Sequence, residues 1–456
     1  MIINMLQIRV SLYKSLFQLA ALLSVFALSS FSAAGLSAFE RPWTFEDCLK
    51  YALEHNISVK KQEIAASQGE AELENAKMQR LPSLYGSASQ NLSFGRGLTA
   101  DNTYANANTG NTYFSLGAEV PVFQGFRVKN DIAVKTLNLK AAQASLAQIK
   151  EDIALELAKA YVQALYDKQL LQVADNQALN DSLQLYRMRG LYEVGKAGAA
   201  DLARQKAAYY QSLSQKTQAG NNLRLSLLSL TQLLELSDPE GFDIAEPEQR
   251  LEEISLSPSD IFCMARENRP RIQAQNARAD AALASVKLAQ SGWWPSISLS
   301  GGIGSNYYTS NMTKMPSFSR QMKNNFSQSL GLTLTLPIFD RLQTKNAVRN
   351  ARLQYDYELY ALDELAKGLY KEIQQAYYNA LSADAKYRSA AQSLAGAEEA
   401  YKLMSAKYEN GKANITEYNE AKTAYSKAQA DLAQARYERL FQRRLLDFYR
   451  TGKLLL

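Results

Sequence analysis

The chain has 456 residues, 46% of them hydrophobic and 21% charged, and carries a net charge of +6. That excess is too small to point to a nucleic-acid partner. Length alone would allow two or three ordinary domains, but the ten prolines leave Val122 to Asp238 and Ile338 to Leu456 without one. Tracts that long, rich in Ala, Leu, Gln, Lys and Glu and free of the strongest helix breaker, read as long helices.

The N-terminus has Arg9 and Lys14, an apolar run from Leu16 to Phe31, then Ser32, Ala33, Ala34 and Gly35. This pattern predicts a secretory signal over residues 1–38, cleaved between Ala34 and Ala38. The run is short for a membrane anchor, and the first cysteine after it, Cys48, is too far away for a lipid-modified terminus. The mature chain is therefore expected to be exported and not acylated. No later stretch reaches about 18 consecutive apolar residues, so entry into a membrane would require a β-barrel.

Beyond the signal, one unit is written twice. Leu81-Pro82-Ser83-Leu84 recurs 213 residues later as Trp294-Pro295-Ser296-Ile297, and Val120-Pro121-Val122-Phe123 recurs 216 residues later as Leu336-Pro337-Ile338-Phe339. The second spacing then holds without a gap: Ala160-Tyr161 matches Ala376-Tyr377, and Tyr192-Glu193 with Gly195-Lys196-Ala197 matches Tyr408-Glu409 with Gly411-Lys412-Ala413. Prolines and glycines kept in register mark a structural repeat. Repeat one is placed at residues 39–236, with a first helix opening at Thr44-Phe45-Glu46-Asp47, where Thr44 can cap the backbone. Two strands come next, near 83–94 and 113–123, and then a long helical hairpin over 126–236. A polar linker, 237–259, precedes repeat two at 260–456. Its first helix opens at Ser257-Pro258-Ser259-Asp260, its strands lie near 296–308 and 326–339, and its hairpin covers 342–450. Cys48 and Cys263 each fall in a first helix and are expected to be separate, buried thiols.

The strands alternate with a period of two. Leu330, Leu332, Leu334, Leu336 and Ile338 oppose Ser329, Gly331, Thr333 and Thr335, while Phe114, Leu116, Ala118, Val120 and Val122 oppose Tyr113, Ser115, Gly117 and Glu119. One such strand is ordinary in a half-buried sheet, but four at symmetric positions suit a wall with lipid on one side and water on the other. The intervening loops, Arg96 to Thr112 and Thr309 to Asn325, are rich in Asn, Ser, Thr and Tyr, as outward barrel loops are. Four antiparallel strands leave two open edges, which lipid does not tolerate, so copies must close the ring, with eight, twelve or sixteen strands all arithmetically possible. Past the strands, Lys129 to Arg189 runs without proline or glycine for about sixty residues, or ~90 Å. Its recurrent alanines and leucines allow close helix packing along an extended seam.

The order of signal, repeated helix-strand-strand-helix units, Pro-Ser strand starts, Pro-Val/Ile-Phe strand ends and Tyr-Glu-x-Gly turns resembles the TolC family of outer-membrane efflux proteins from Thr44 to about Leu445. The fold this implies is mainly α with a membrane β-barrel portion: a homotrimer whose twelve-stranded barrel in outer-membrane lipid continues as a helical tunnel through the periplasm. Its partners would be a periplasmic adaptor (membrane fusion) protein and, through it, an inner-membrane pump. The expected role is passage of substrates to the exterior in tripartite efflux or type I secretion. By the same resemblance, Gly195, Lys196, Ala197, Gly411, Lys412 and Ala413 are adaptor-contact candidates, and Asp201, Glu417 and Glu420, with Tyr192 and Tyr408, form a periplasmic gate. Plainer roles stand beside these: the glycines stop helices, Glu417 completes a capping box with Asn414, and Glu420 is a solvated side chain. Relatives often carry a basic residue just after the second glycine to latch the entrance, where this chain has Ala413. No histidine, cysteine or phosphate-loop pattern supports an enzyme, a metal or a cofactor, and lone His55 reads as a helix-end residue. The competing reading is a periplasmic coiled-coil adaptor or scaffold whose strands form a soluble sheet.

Overall fold

The computed structural model describes residues 41–98, 103–236, 241–247, 254–454 and 456. The signal segment expected over 1–38 lies outside them, as do parts of the linker expected over 237–259. The chain opens with α1 (Phe45–His55) and α2 (Ile57–Met78), then β1 (Ser83–Ser93), a small hairpin of β2 (Arg96–Leu98) and β3 (Tyr104–Asn106), and β4 (Thr109–Gln124). Then come α3 (Arg127–Glu193) and α4 (Ala199–Leu233). The second half repeats this with α5 (Pro258–Asn268), α6 (Pro270–Gln290), β5 (Ser296–Ser310), α7 (Phe318–Asn324), β6 (Ser327–Thr335), α8 (Gln343–Glu409) and α9 (Ile415–Thr451).

Where one opening helix per repeat was expected, there are two. Asn56 and Arg269, which correspond across the repeat, both adopt extended backbone with ψ of 129° and 125° and cap the next helix. In the second half the reason is visible in the sequence, because the residue before Pro270 is driven out of the helical region. In the first half Asn56 does the same work by accepting a hydrogen bond from the Ser58 amide at 2.8 Å. Thr44 with Asp47, and Ser257 with Asp260, form full capping boxes at the starts of α1 and α5.

Strands β1, β4, β5 and β6 make one antiparallel sheet in that order, which leaves β1 and β6 as its edges. Register puts Leu84 beside Ala118, Leu116 beside Ile303, Val120 beside Leu299, and Leu299 beside Leu332, all on one face. Serines, glycines, Thr333 and Glu119, with Tyr85 and Tyr113, lie on the other. The alternation expected through Val122 is interrupted near the end of β4. A bulge between Pro121 and Phe123 shifts the register, so Phe123 and not Val122 lies opposite Ile297. Pro121 lacks the N–H a regular ladder needs there, and a bulge is where a sheet accommodates that loss.

Strand passes to long helix through two consecutive left-handed residues in each repeat: Gly125 and Phe126 (φ 58° and 65°), then Arg341 and Leu342 (φ 55° and 65°). Only the first pair uses a glycine, so the second keeps two side chains in a region that costs them about 1 kcal/mol or more each. The helices they lead into, α3 and α8, are each 67 residues long, on the order of 100 Å.

The core lies partway along these helices and not at their ends. Ile153, Leu157 and Ala164 of α3 are buried with Phe45, Cys48, Leu230, Leu440 and Phe448 in one cluster, and the matching Leu369, Ile373 and Ala380 of α8 are buried with Ile261, Ile272 and Leu446 in another. The linker is stitched into the first cluster. Phe242 and Ile244 are buried, Trp43 bridges to Ile244, and Tyr161 donates to the Ala245 carbonyl at 2.6 Å. Among the described residues both cysteines are free, but only Cys48 is buried. Cys263, expected to be buried, is exposed because it stands two residues past Ile261, about 200° around the helix from the core stripe. No helix among the described residues is long and apolar enough to cross a membrane.

Candidate functional site at the hairpin tips

The far ends of the two hairpins, α3–α4 and α8–α9, lie side by side. Each long helix stops in the same way. The Gly195 amide donates to the Tyr192 carbonyl at 2.9 Å and the Lys196 amide to Leu191 at 2.8 Å, while Gly411 reaches Tyr408 at 3.1 Å and Lys412 reaches Lys407 at 2.8 Å. This pair of bonds requires a left-handed residue, supplied by Gly195 (φ 75°) and Gly411 (φ 68°).

The return helices begin differently. Asn414 accepts from the Glu417 amide at 2.9 Å, and the Glu417 carboxylate accepts from the Asn414 amide at 3.0 Å, so the plainer role foreseen for Glu417 is occupied. At the first tip Gly198 stands in the cap position without a side chain, and Asp201 supplies the acid of the first turn.

Between the tips is a cleft of about 590 Å³ lined by Lys196, Ala197, Asp201, Tyr408, Gly411 and Ala413, together with Arg187, Arg204 and Glu409. Six of the eleven anticipated residues thus share one space. Gly195 and Lys412 sit on the turns, exposed, while Tyr192, Glu417 and Glu420 are exposed elsewhere on the tips. Arg187 of α3 meets Glu409 at the end of α8 at 3.4 Å, both about half exposed, a contact worth little in stability. Burial raises the Tyr408 phenol above its ordinary value, and the nearby Asp201 carboxylate pushes in the same direction.

Three groups were missed by reading the sequence. Tyr408 stacks on Tyr418 at 4.9 Å, and Tyr401 stacks on Tyr425 at 5.3 Å while its hydroxyl lies 3.3 Å from that of Tyr418, so four rings form one column inside the second tip. The signal was present: Tyr401 and Tyr408, like Tyr418 and Tyr425, are seven residues apart, a spacing that aligns them on facing stripes. One turn deeper, Lys422 of α9 is buried against Asp181 of α3, whose other oxygen accepts from Gln177 at 2.9 Å. Gln177 in turn accepts from Ser426 at 2.6 Å. No local pattern could have paired residues 241 positions apart. The third is Arg187 itself, which has no counterpart in repeat two.

The outer membrane efflux protein family matches residues 48–235 and 263–449. Outer membrane protein TolC of Vibrio cholerae is 23% identical over 317 residues, 67% of this chain and 70% of the relative. Among solved structures, CusC superposes with a TM-score of 0.76 at 17% identity, over 93% of this chain and 95% of the other. The CmeC outer membrane channel of Campylobacter jejuni also gives 0.76, at 18% identity, over 90% and 85%. With both halves matched and the TolC-like fold present throughout, the chain belongs to the outer membrane efflux protein family, and it is an outer-membrane channel with a large helical portion in the periplasm.

Proposed function

We propose that the channel works as a homotrimer in a tripartite efflux or type I secretion system, taking substrate from a periplasmic adaptor and an inner-membrane pump. The observation that carries this reading is the open sheet. Among the described residues edges β1 and β6 are unpaired, and one face presents Leu330, Leu332 and Leu334, 80%, 69% and 64% exposed. Apolar exposure on that scale suits hydrocarbon, and unpaired edges in hydrocarbon must be closed by copies, twelve strands for three chains. Adaptor recognition is assigned to the turn residues Gly195, Lys196, Ala197, Gly411, Lys412 and Ala413, which lie farthest from the sheet along the chain. The gate is assigned to Asp201, Glu417 and Glu420, with Tyr192 and Tyr408 beside them. Three copies of these acids around a narrow entrance would favour cations.

The test is single-channel conductance in planar bilayers. Wild-type channels should pass cations preferentially, and Glu417→Gln with Glu420→Gln should lower that preference. Unchanged selectivity in the double variant would remove these two residues from the gate.

A further inference from the structure

The sheet has a second unusual feature, at the end away from the long helices. Strand β5 continues from Ser305 to Ser310 beyond the last residue that β6 pairs, Gly304, which would leave its outer edge bare. Helix α7 covers that edge. The Gln321 side chain, 6% exposed, accepts from the Tyr308 amide at 2.9 Å and donates to the Tyr308 and Pro316 carbonyls at 2.9 Å, imitating a strand. Asn325 donates to the Asn306 carbonyl at 2.8 Å, and Ser305 donates to that of Met322 at 2.8 Å. A segment anticipated as a plain polar loop is thus bolted to the wall.

The side it occupies is the apolar one. Phe318 makes edge contacts with Tyr307 at 5.2 Å and Phe114 at 6.5 Å, both on the same face as Leu116 and Leu299. At the other end of that face stand Phe123, Phe126 and Trp294, with ring centroids 5.3 and 5.8 Å apart. Nine residues separate Phe114 from Phe123, ~30 Å along a strand or ~23 Å with a barrel's tilt, close to the height of a barrel's apolar band. Aromatic groups at both limits are the usual boundary of such a band. Helix α7 therefore stands at the outer-leaflet boundary. Next to it, Gly86, Ala88, Phe114, Ile303, Met322 and Phe326 line an open apolar notch of about 510 Å³.

The charge carried by the β5–β6 loop, which includes α7 beside the notch, has one sign. No acidic residue occurs between Asp280 and Asp340, whereas the loop between β1 and β4 carries Asp101 as well as Arg96. Within the β5–β6 loop Lys314, Arg320 and Lys323 are exposed, and none has an ion-pair partner among the described residues. Arg320 and Lys323 lie one turn apart on α7.

We propose that this notch seats an acyl chain of a phosphorylated, multiply acylated glycolipid of the outer leaflet, with Arg320, Lys323 and Lys314 holding its phosphates. The assignment rests on the barrel reading, which sets the depth of α7 in the membrane. An apolar slot at acyl depth with unpaired cations above it complements such a molecule, since each interfacial cation adds to the binding of a phosphorylated surface. Neutral lipid would leave the three cations unanswered.

The experiment is native mass spectrometry of the full-length channel in detergent, titrated with diphosphoryl lipid A or its phosphate-free form. Wild type should bind the phosphorylated form, and Arg320→Gln with Lys323→Gln should weaken that binding on the order of tenfold. Lys60→Gln with Lys61→Gln, on the remote helix α2, should leave it unchanged. Equal binding by wild type and the α7 variant, equal binding of the phosphate-free form, or an equal loss in the α2 variant would overturn the proposal. The same spectra count copies per particle. Monomers alone would sink the barrel reading, while an intact ring whose lipid binding ignores the charge change would sink only this assignment.

Discussion

The two hairpin tips are copies in backbone and strangers in chemistry. Helices α3 and α8 have the same length, and both end on a glycine at φ near 70° with the same pair of hydrogen bonds. Inside, however, the rings of Tyr401, Tyr408, Tyr418 and Tyr425 stand where repeat one has Leu185, Tyr192, Leu202 and Tyr209. Lys422 is buried against Asp181, whereas its counterpart Lys206 is exposed, and Ala397 stands where a matching aspartate would be. The difference teaches which constraints are repeated. Chain reversal demands the glycine in both copies, while the seam between α9 and α3, which exists only once within a protomer, is free to acquire its own polar pin.

Removing that pin is the largest test of the comparison. Lys422→Ala leaves Asp181 buried and unpaired and should cost roughly 3–5 kcal/mol, read as lost hydrogen-exchange protection around Asp181. Lys206→Ala should fall within about 0.5 kcal/mol of wild type. Equal effects would erase the distinction between the tips. Next in size is Tyr418→Leu, which copies repeat one into repeat two. It removes one stacked ring and a hydroxyl contact and should cost about 1–2 kcal/mol, against little change for the reverse swap Leu202→Tyr. Smaller again, Asn414→Ala deletes a full capping box and should cost about 1 kcal/mol, whereas Gly198→Asn should gain a few tenths, measured by local exchange in the first turn of each return helix.

The smallest effect concerns the two thiols. Across the repeat Cys48 matches buried Ile261, and Cys263 matches exposed Lys50. Burial, helped by the Asp47 carboxylate, pushes the Cys48 thiol up to about 12. The folded state therefore holds this proton more tightly than the unfolded chain. The stability it contributes is present below the ordinary thiol value of 9.0 and is lost as pH climbs toward about 12. Alkylation of the native protein at pH 8 should add one label per chain, on Cys263. Two labels would show that Cys48 is not protected.

Much of this architecture was legible because the repeat is long and its breakers keep register. Pro82 and Pro295 mark strand starts, Gly195 and Gly411 mark turns, and the proline-free tracts mark the helices. The features that escaped had physical reasons to do so. Asn56 breaks a helix through a side-chain bond that no composition window detects, while Pro270, which forces the same break at Arg269, was in plain view. The bulge after Pro121 puts Phe123 opposite Ile297 and leaves Val122 as the extra residue, since one inserted residue flips a period of two. Edge-covering α7 depends on Gln321 meeting the Tyr308 backbone across the strand edge, a tertiary contact in a stretch whose composition says loop. At the tips the turns were readable, but the tyrosine column and the Asp181–Lys422 pair join different elements and appear only once those elements are side by side.

One chain supplies a fragment of wall whose rims, β1 and β6, must be sealed by further copies. Analytical ultracentrifugation of the detergent-extracted, full-length protein with matched detergent density measures this directly. A single species of three chains, dependent on detergent for solubility, is the expected result. A monodisperse single chain that stays in solution without detergent would contradict it.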